Sequence, residues 1–258
     1  MLDPMVVLAL DTSTRGGSVA LARDGTLLEA RAGDPAVSHG RRLPVEIAAI
    51  LRDHHLRLAD VDLYAVAAGP GSFTGLRVGI ASIQGLAFAN RRLVVPIPTL
   101  DAHAFAAAAT APRLDAGDYV AVWLDAQRGQ VFAALFELRP APAGEPALAA
   151  VSPPSVAKPD EVLASWRLPP GGLRFTGGGV TLYRSSLAHV TGVQVVEPVE
   201  PLAATLARLA FGRQPRVEPV PPSAVRPIYI RRSDAEIGRD RGASTDGAAA
   251  PSPGSRRR

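Results

Sequence analysis

The stretch Met5-Val6-Val7-Leu8-Ala9-Leu10-Asp11-Thr12-Ser13-Thr14-Arg15-Gly16-Gly17-Ser18-Val19-Ala20-Leu21-Ala22-Arg23-Asp24-Gly25 decides how the chain begins. Met5–Leu10 is apolar without a break and ends at Asp11, the pattern of a strand buried on both faces. Gly16-Gly17 makes a turn and Ser18–Arg23 reads as a second strand. Asp24-Gly25 is a two-residue hairpin signal, because both positions accept a left-handed backbone. Thr26–Arg31 then forms the third strand of an antiparallel meander.

A helix is predicted over Gly40–His55, with Leu43, Ile47, Ile50 and Leu51 on one face. The apolar strand Leu63–Ala68 runs into Gly69-Pro70-Gly71-Ser72-Phe73-Thr74-Gly75. Ser72 or Thr74 is placed to cap a helix that extends to about Asn90. Leu93–Ile97 is a further strand.

The opening pattern recurs. Tyr119–Asp125 is an apolar strand ending in an acid, Gln127-Arg128-Gly129 is its turn and Gln130–Leu138 its partner. A weaker strand near Ala147–Ser152, a short helix over Pro159–Trp166 and a strand Leu173–Thr176 running into Gly177-Gly178-Gly179 come next. Leu202–Phe211 is a late helix. The repeat spans about 114 residues, too long for a solenoid unit. The expected fold is α/β: two duplicated ribonuclease-H-like lobes with mixed β-sheets flanked by helices, facing a cleft in the actin-like plan. The boundaries expected are 1–103 for the first lobe, 104–231 for the second, whose late helix packs back on the first, and 232–258 for a disordered tail without enough apolar surface to order itself.

With 258 residues, 47% of them hydrophobic, the chain has material for two cores. It has no apolar run long enough to cross a membrane and its first residues lack a signal-peptide pattern, so a cytoplasmic location is expected. The absence of cysteine removes disulfides, thiolate metal sites and cysteine nucleophiles. Six arginines against four acids after Arg231 place half of the net charge of +4 in the tail, leaving little electrostatic signal for nucleic acid elsewhere.

Several residues invite a chemical reading. Asp11 and Asp125 end equivalent strands; each either holds Mg²⁺ through water beside a phosphate or accepts hydrogen bonds from its own turn. Glycine next to Asp11 and a lysine clamp, which a phosphate grip would use, are missing from Thr12-Ser13-Thr14-Arg15. Gly75, Gly79 and Ser82 give the second helix a flat face suited to a partner helix, beside the stripe Leu76, Ile80 and Ile83. The five histidines show no metal spacing: His39 is followed four residues on by Leu43. Ser72 lacks the nucleophile-elbow sequence, and nothing supports a peptidase.

Leu8–Thr14, Ser18–Leu21, Gly69-Pro70-Gly71-Ser72-Phe73-Thr74-Gly75-Leu76-Arg77-Val78-Gly79, Leu124–Phe132 and Arg226-Pro227-Ile228-Tyr229-Ile230-Arg231 together resemble the signatures of the TsaB (YeaZ) family. The resemblance implies an actin-like (ASKHA) fold and a non-catalytic scaffold without a cofactor. It implies a heterodimer with the catalytic paralogue TsaD, formed through helices of the first lobe, with the ATPase TsaE joining. That complex forms N6-threonylcarbamoyladenosine at position 37 of ANN-reading tRNAs, so tRNA is expected to be met indirectly, through the complex. A homodimer is expected when the chain is alone. The family's metal-binding His-x-x-x-His helix corresponds to His39 and Leu43, so the second ligand is missing. Gly69, Pro70, Gly71, Ser72, Phe73, Thr74, Gly75 and Arg77 form the signature loop; Leu43, Ile47, Leu76, Gly79, Ile80 and Ile83 are the expected interface residues, and Asp11 and Asp125 the degenerate cleft pair. The alternative is an actin-like kinase or ATPase using Asp11 and Asp125 with Mg-ATP.

Overall fold

Six consecutive buried residues make β1 (Val6–Asp11) the central strand of the first sheet in this computed structural model. The structure describes residues 5–112, 114–140, 147–168, 172–197, 201–212 and 218–231. The expected tail over 232–258 lies outside them.

β2 (Ser18–Arg23) and β3 (Thr26–Ala32) extend the sheet from β1 antiparallel. Asp24 and Gly25 both take positive φ, 51° and 77°, which matches the twist of a tight hairpin. β4 (Leu63–Gly69) and β5 (Leu93–Pro98) join in parallel, giving the order β3-β2-β1-β4-β5.

The second sheet repeats that plan. β6 (Tyr119–Asp125) is central, with β7 (Val131–Arg139) and β8 (Ala147–Ala150) antiparallel on one side. β9 (Ser155–Ala157) pairs separately with β7. β10 (Leu173–Thr176) and β11 (Val193–Val195) lie parallel on the other side, so the order is β8-β7-β6-β10-β11. Two antiparallel and two parallel neighbours around an Asp-ended strand, twice over, is the duplicated actin-like architecture the sequence pointed to.

Helices cover both faces of each sheet. α1 (His39–Asp53) and α2 (Phe73–Asn90) bury Leu43, Ile47, Ile50, Ile80 and Ile83 against Leu8, Leu10, Val19 and Val66. The opposite face, with Val7, Ala9, Ala20 and Ala65, is covered by α3 (Thr99–Ala109) and by α6 (Leu202–Phe211). α3 also sends Leu100, Ala104 and Ala107 into the core of the second sheet, so it is shared between the lobes. The far face of that sheet takes Val162 of α4 (Pro159–Ser165) and Val180 of α5 (Gly178–Leu182).

α3 was not among the expected elements. Its sequence, Thr-Leu-Asp-Ala-His-Ala-Phe-Ala-Ala-Ala-Ala, is packed on two sides and so shows no single apolar stripe. Its C-terminal end is held by a buried cation. Arg174 of β10 donates through Nη1 to the carbonyls of Ala107 (2.6 Å) and Thr110 (2.8 Å), and through Nη2 to Pro112 (2.6 Å). A guanidinium at a helix C-terminus satisfies carbonyls that have no intrahelical donor.

Candidate functional site

The Asp11 turn lies under the start of α2. Ser72 is the N-cap of α2, and its Oγ accepts the Gly75 amide at 3.2 Å. The Ser72 amide in turn donates to the Ser13 carbonyl at 2.7 Å, fastening the signature loop to the turn. Thr12 points at α2, where a methyl group at Gly75 or Gly79 would overlap it. The two glycines therefore exist to seat α2 on the first turn.

Asp11 is only 3% exposed. Its Oδ1 accepts the Ser13 amide at 2.8 Å, within its own turn. Asp125, half-buried, does the same with Gln127: Oδ1 takes the amide at 2.8 Å and Oδ2 the side-chain Nε2 at 2.5 Å. Both carboxylates are thus held by turn donors.

The segment 218–231 ties the lobes together near these turns. Val220 bridges to Val94 at the edge of the first sheet, and Gln84 Nε2 donates to the Pro222 carbonyl at 2.8 Å. The Ile228 amide donates to the Ala68 carbonyl at 2.7 Å, just before the signature loop. Arg231 then reaches the second lobe: its Nη1 donates to the Ala126 carbonyl at 2.7 Å and its Nη2 to Gln130 Oε1. Between these anchors the Phe73 and Tyr229 rings lie 5.0 Å apart. The Arg77 guanidinium sits 3.8 Å from the Phe73 centroid, and its Nε donates to Tyr229 Oη at 3.0 Å. Sequence reasoning singled out Phe73, Arg77 and the Arg226–Arg231 run, but not their meeting; two motifs some 150 residues apart carry no local signal of contact.

The expected interface residues need correction. Leu43, Ile47, Leu76, Gly79, Ile80 and Ile83 are all buried in the first lobe. The flat face of Gly75 and Gly79 is spent on Thr12, so it offers nothing to a partner. The outward faces are different ones. On α1 they include Val45, 68% exposed, and Ala48. On α2 they include Ala81, Gly85 and Phe88, the last 79% exposed. Two sets of small residues alternate around α2, and spacing alone did not say which set faces in.

Among the described residues no group of three or more His, Cys, Asp or Glu side chains has the geometry to hold a metal ion. His39 Nδ1 accepts Arg42 Nη2 at 2.8 Å, while the side chain of Leu43 is in the core. Burial and the Arg42 charge hold the His39 pKa below its ordinary value. His103, on α3, has both ring nitrogens covered and without a hydrogen-bond partner. Burial lowers its pKa too, opposed by the charge of Asp11. No described helix is long and apolar enough to cross a membrane.

The model of the family described as TsaD, tRNA N6-adenosine threonylcarbamoyltransferase, matches residues 35–165. The tRNA threonylcarbamoyladenosine biosynthesis protein TsaB of Haemophilus influenzae is 40% identical over 132 residues, covering 51% of this chain and 53% of that protein. The chain belongs to this family, in its TsaB (YeaZ) branch. Escherichia coli TsaB is 35% identical over 133 residues, 52% of this chain and 55% of its own. The chain thus spans about half the length of the curated TsaB relatives it matches. A solved Pseudomonas aeruginosa structure, described as an uncharacterized protein with similarity to peptidase YeaZ, superposes with a TM-score of 0.72 at 29% identity. It covers 88% of this chain and 100% of its own, so the TsaB-branch likeness includes both lobes.

Proposed function

We propose that this chain is a non-catalytic partner subunit in the formation of N6-threonylcarbamoyladenosine at position 37 of ANN-reading tRNAs, pairing with TsaD in a cytoplasmic complex that TsaE joins. One observation carries the reading: Asp11 Oδ1 and both oxygens of Asp125 accept hydrogen bonds from their own turns, and the 218–231 segment ties the two lobes beside them. A phosphate-transfer cleft needs its carboxylates facing substrate and its lobes free to close. The working surface is then the outward face of α1 and α2, where Val45, Ala48, Ala81, Gly85 and Phe88 leave apolar and small side chains uncovered. Small residues let a second helix approach closely, and the same face pairs two copies of the chain when TsaD is absent.

Co-purification with TsaD and TsaE, followed by tRNA modification with and without this chain, tests the proposal. Ala81→Arg and Gly85→Arg are expected to abolish the TsaD complex while leaving the melting temperature unchanged, since both positions face open space. Complexes that persist in both variants remove this face from the interface. Tight calorimetric binding of Mg-ATP to the isolated chain, lost in Asp11→Asn, would replace the scaffold reading with an ATPase.

A further inference from the structure

Four segments meet at one end of the molecule. The Thr12–Gly17 turn is bonded to the signature loop through Ser13 and Ser72. The 226–231 strap is bonded to Ala68 beside that loop and to the Ala126–Gln130 turn through Arg231. Residues 12–17, 69–77, 126–130 and 226–231 contain five arginines and no acid. The two carboxylates that open these turns are engaged: Asp11 is buried on its Ser13 amide, and Asp125 holds Gln127. Arg15, Arg77, Arg128 and Arg226 are exposed on this rim.

The rim also keeps aromatic surface in water. Phe73 is 41% and Tyr229 43% exposed, tilted by 33° to one another, with the Arg77 guanidinium against Phe73. Exposed rings beside arginine suit a ligand that is both planar and anionic. Arginines alone would serve an acidic protein surface, whereas unpaired RNA uses stacking rings and cations together. We propose that this rim binds a single-stranded loop of RNA, with an unstacked base extending the Phe73–Arg77–Tyr229 stack and phosphates on Arg15 and Arg128. The inference rests on reading the chain as part of a tRNA-modifying complex, and it puts the RNA-facing surface on the rim that both lobes build together. The outward residues of α1 and α2 named above are a separate set, so RNA and TsaD need not compete for the same side chains.

The test is fluorescence anisotropy of the full-length chain with a labelled hairpin RNA carrying an unpaired, adenine-containing loop. Phe73→Ala with Tyr229→Ala is expected to raise Kd about fivefold or more, since one stacked base contributes about 1–3 kcal/mol. Tyr229→Phe keeps the ring and is expected to stay within about twofold. Arg15→Gln with Arg128→Gln is expected to flatten the log Kd against log salt plot by about 1.4, two phosphates on a single strand. Thermal melts and TsaD co-purification of each variant are run in parallel. Wild-type affinity in the double aromatic variant, with melting and TsaD pairing intact, overturns the RNA site and leaves the scaffold reading standing. A polyglutamate peptide that binds with the same variant dependence, while RNA does not, overturns it in favour of an acidic protein partner. Failure of the wild-type chain to pair with TsaD speaks only against the scaffold reading, because the RNA titration is done on the chain alone.

Discussion

The two lobes share a strand order but differ in the helix that each Gly-rich loop leads into. In the first, the loop feeds the eighteen-residue α2, which sits directly on Thr12, Gly75 against its backbone carbonyl and Gly79 against its side chain. In the second, Gly177–Gly179 passes under the backbone of Trp123 and Leu124 and feeds only the five-residue α5. The start of the first turn, Asp11 to Ser13, is consequently buried, whereas Asp125 is half-buried and Gln127 to Gly129 are exposed. Duplication preserved the sheets, where every strand needs its neighbour, and let the helical cover diverge, where only one face of each helix is constrained.

That contrast can be broken by substitution. Gly79→Val forces a branched side chain into Thr12 and is expected to cost about 3 kcal/mol or more, or to prevent folding altogether. Gly178→Ala, with open space around it, is expected to change stability by less than about 0.5 kcal/mol. Urea unfolding of both variants measures the difference. Equal effects would mean that the two Gly-rich loops are packed alike after all.

Arg174→Met is the next largest expected effect. It leaves the carbonyls of Ala107, Thr110 and Pro112 without their donor in a buried place, at a cost of about 2–4 kcal/mol. The loss is expected in both lobes together, because α3 belongs to both cores; a transition split into two steps on calorimetry would contradict that sharing.

Much of this architecture was legible in the residues. Continuous apolar runs ending in Asp located β1 and β6, and Asp24-Gly25 located the β2–β3 hairpin. Ser72 was read among the possible caps of α2. The elements that escaped did so for definable reasons. α3 is alanine-rich and packed on two sides, so no stripe shows. α2 has small residues on its inner and outer faces alike, so their spacing does not tell which set is exposed. The 218–231 strap lacks any period because its contacts, through Val220, Val225, Ile228 and Arg231, are made one at a time with different elements.

The paired acids give a smaller contrast. Asp11→Ala removes a carboxylate bonded in a buried turn and is expected to cost about 2 kcal/mol. Asp125→Ala, in its half-exposed turn, is expected to cost under about 1 kcal/mol. Chemical denaturation of the two variants compares them directly.

The smallest effect is in pH. His103 is held neutral by burial, below its ordinary pKa of 6.5. The unfolded chain therefore binds the proton more readily, and folding loses stability as pH falls through and below that value. His103→Gln is expected to flatten the decline in melting temperature between about pH 7 and pH 5. An unchanged slope would mean that the imidazole is not dry at the lobe junction.

The place of α6 has a consequence for how the protein is made. The first sheet is complete in sequence by Pro98, yet the face bearing Val7, Ala9, Ala20 and Ala65 receives Leu206 and Leu209 only when residues 202–211 have left the ribosome. At about 5–20 residues per second, that greasy surface waits roughly 5–20 s for its cover during synthesis. Early termination before residue 202 would release a chain whose first lobe is sticky on one side, a natural client for a chaperone.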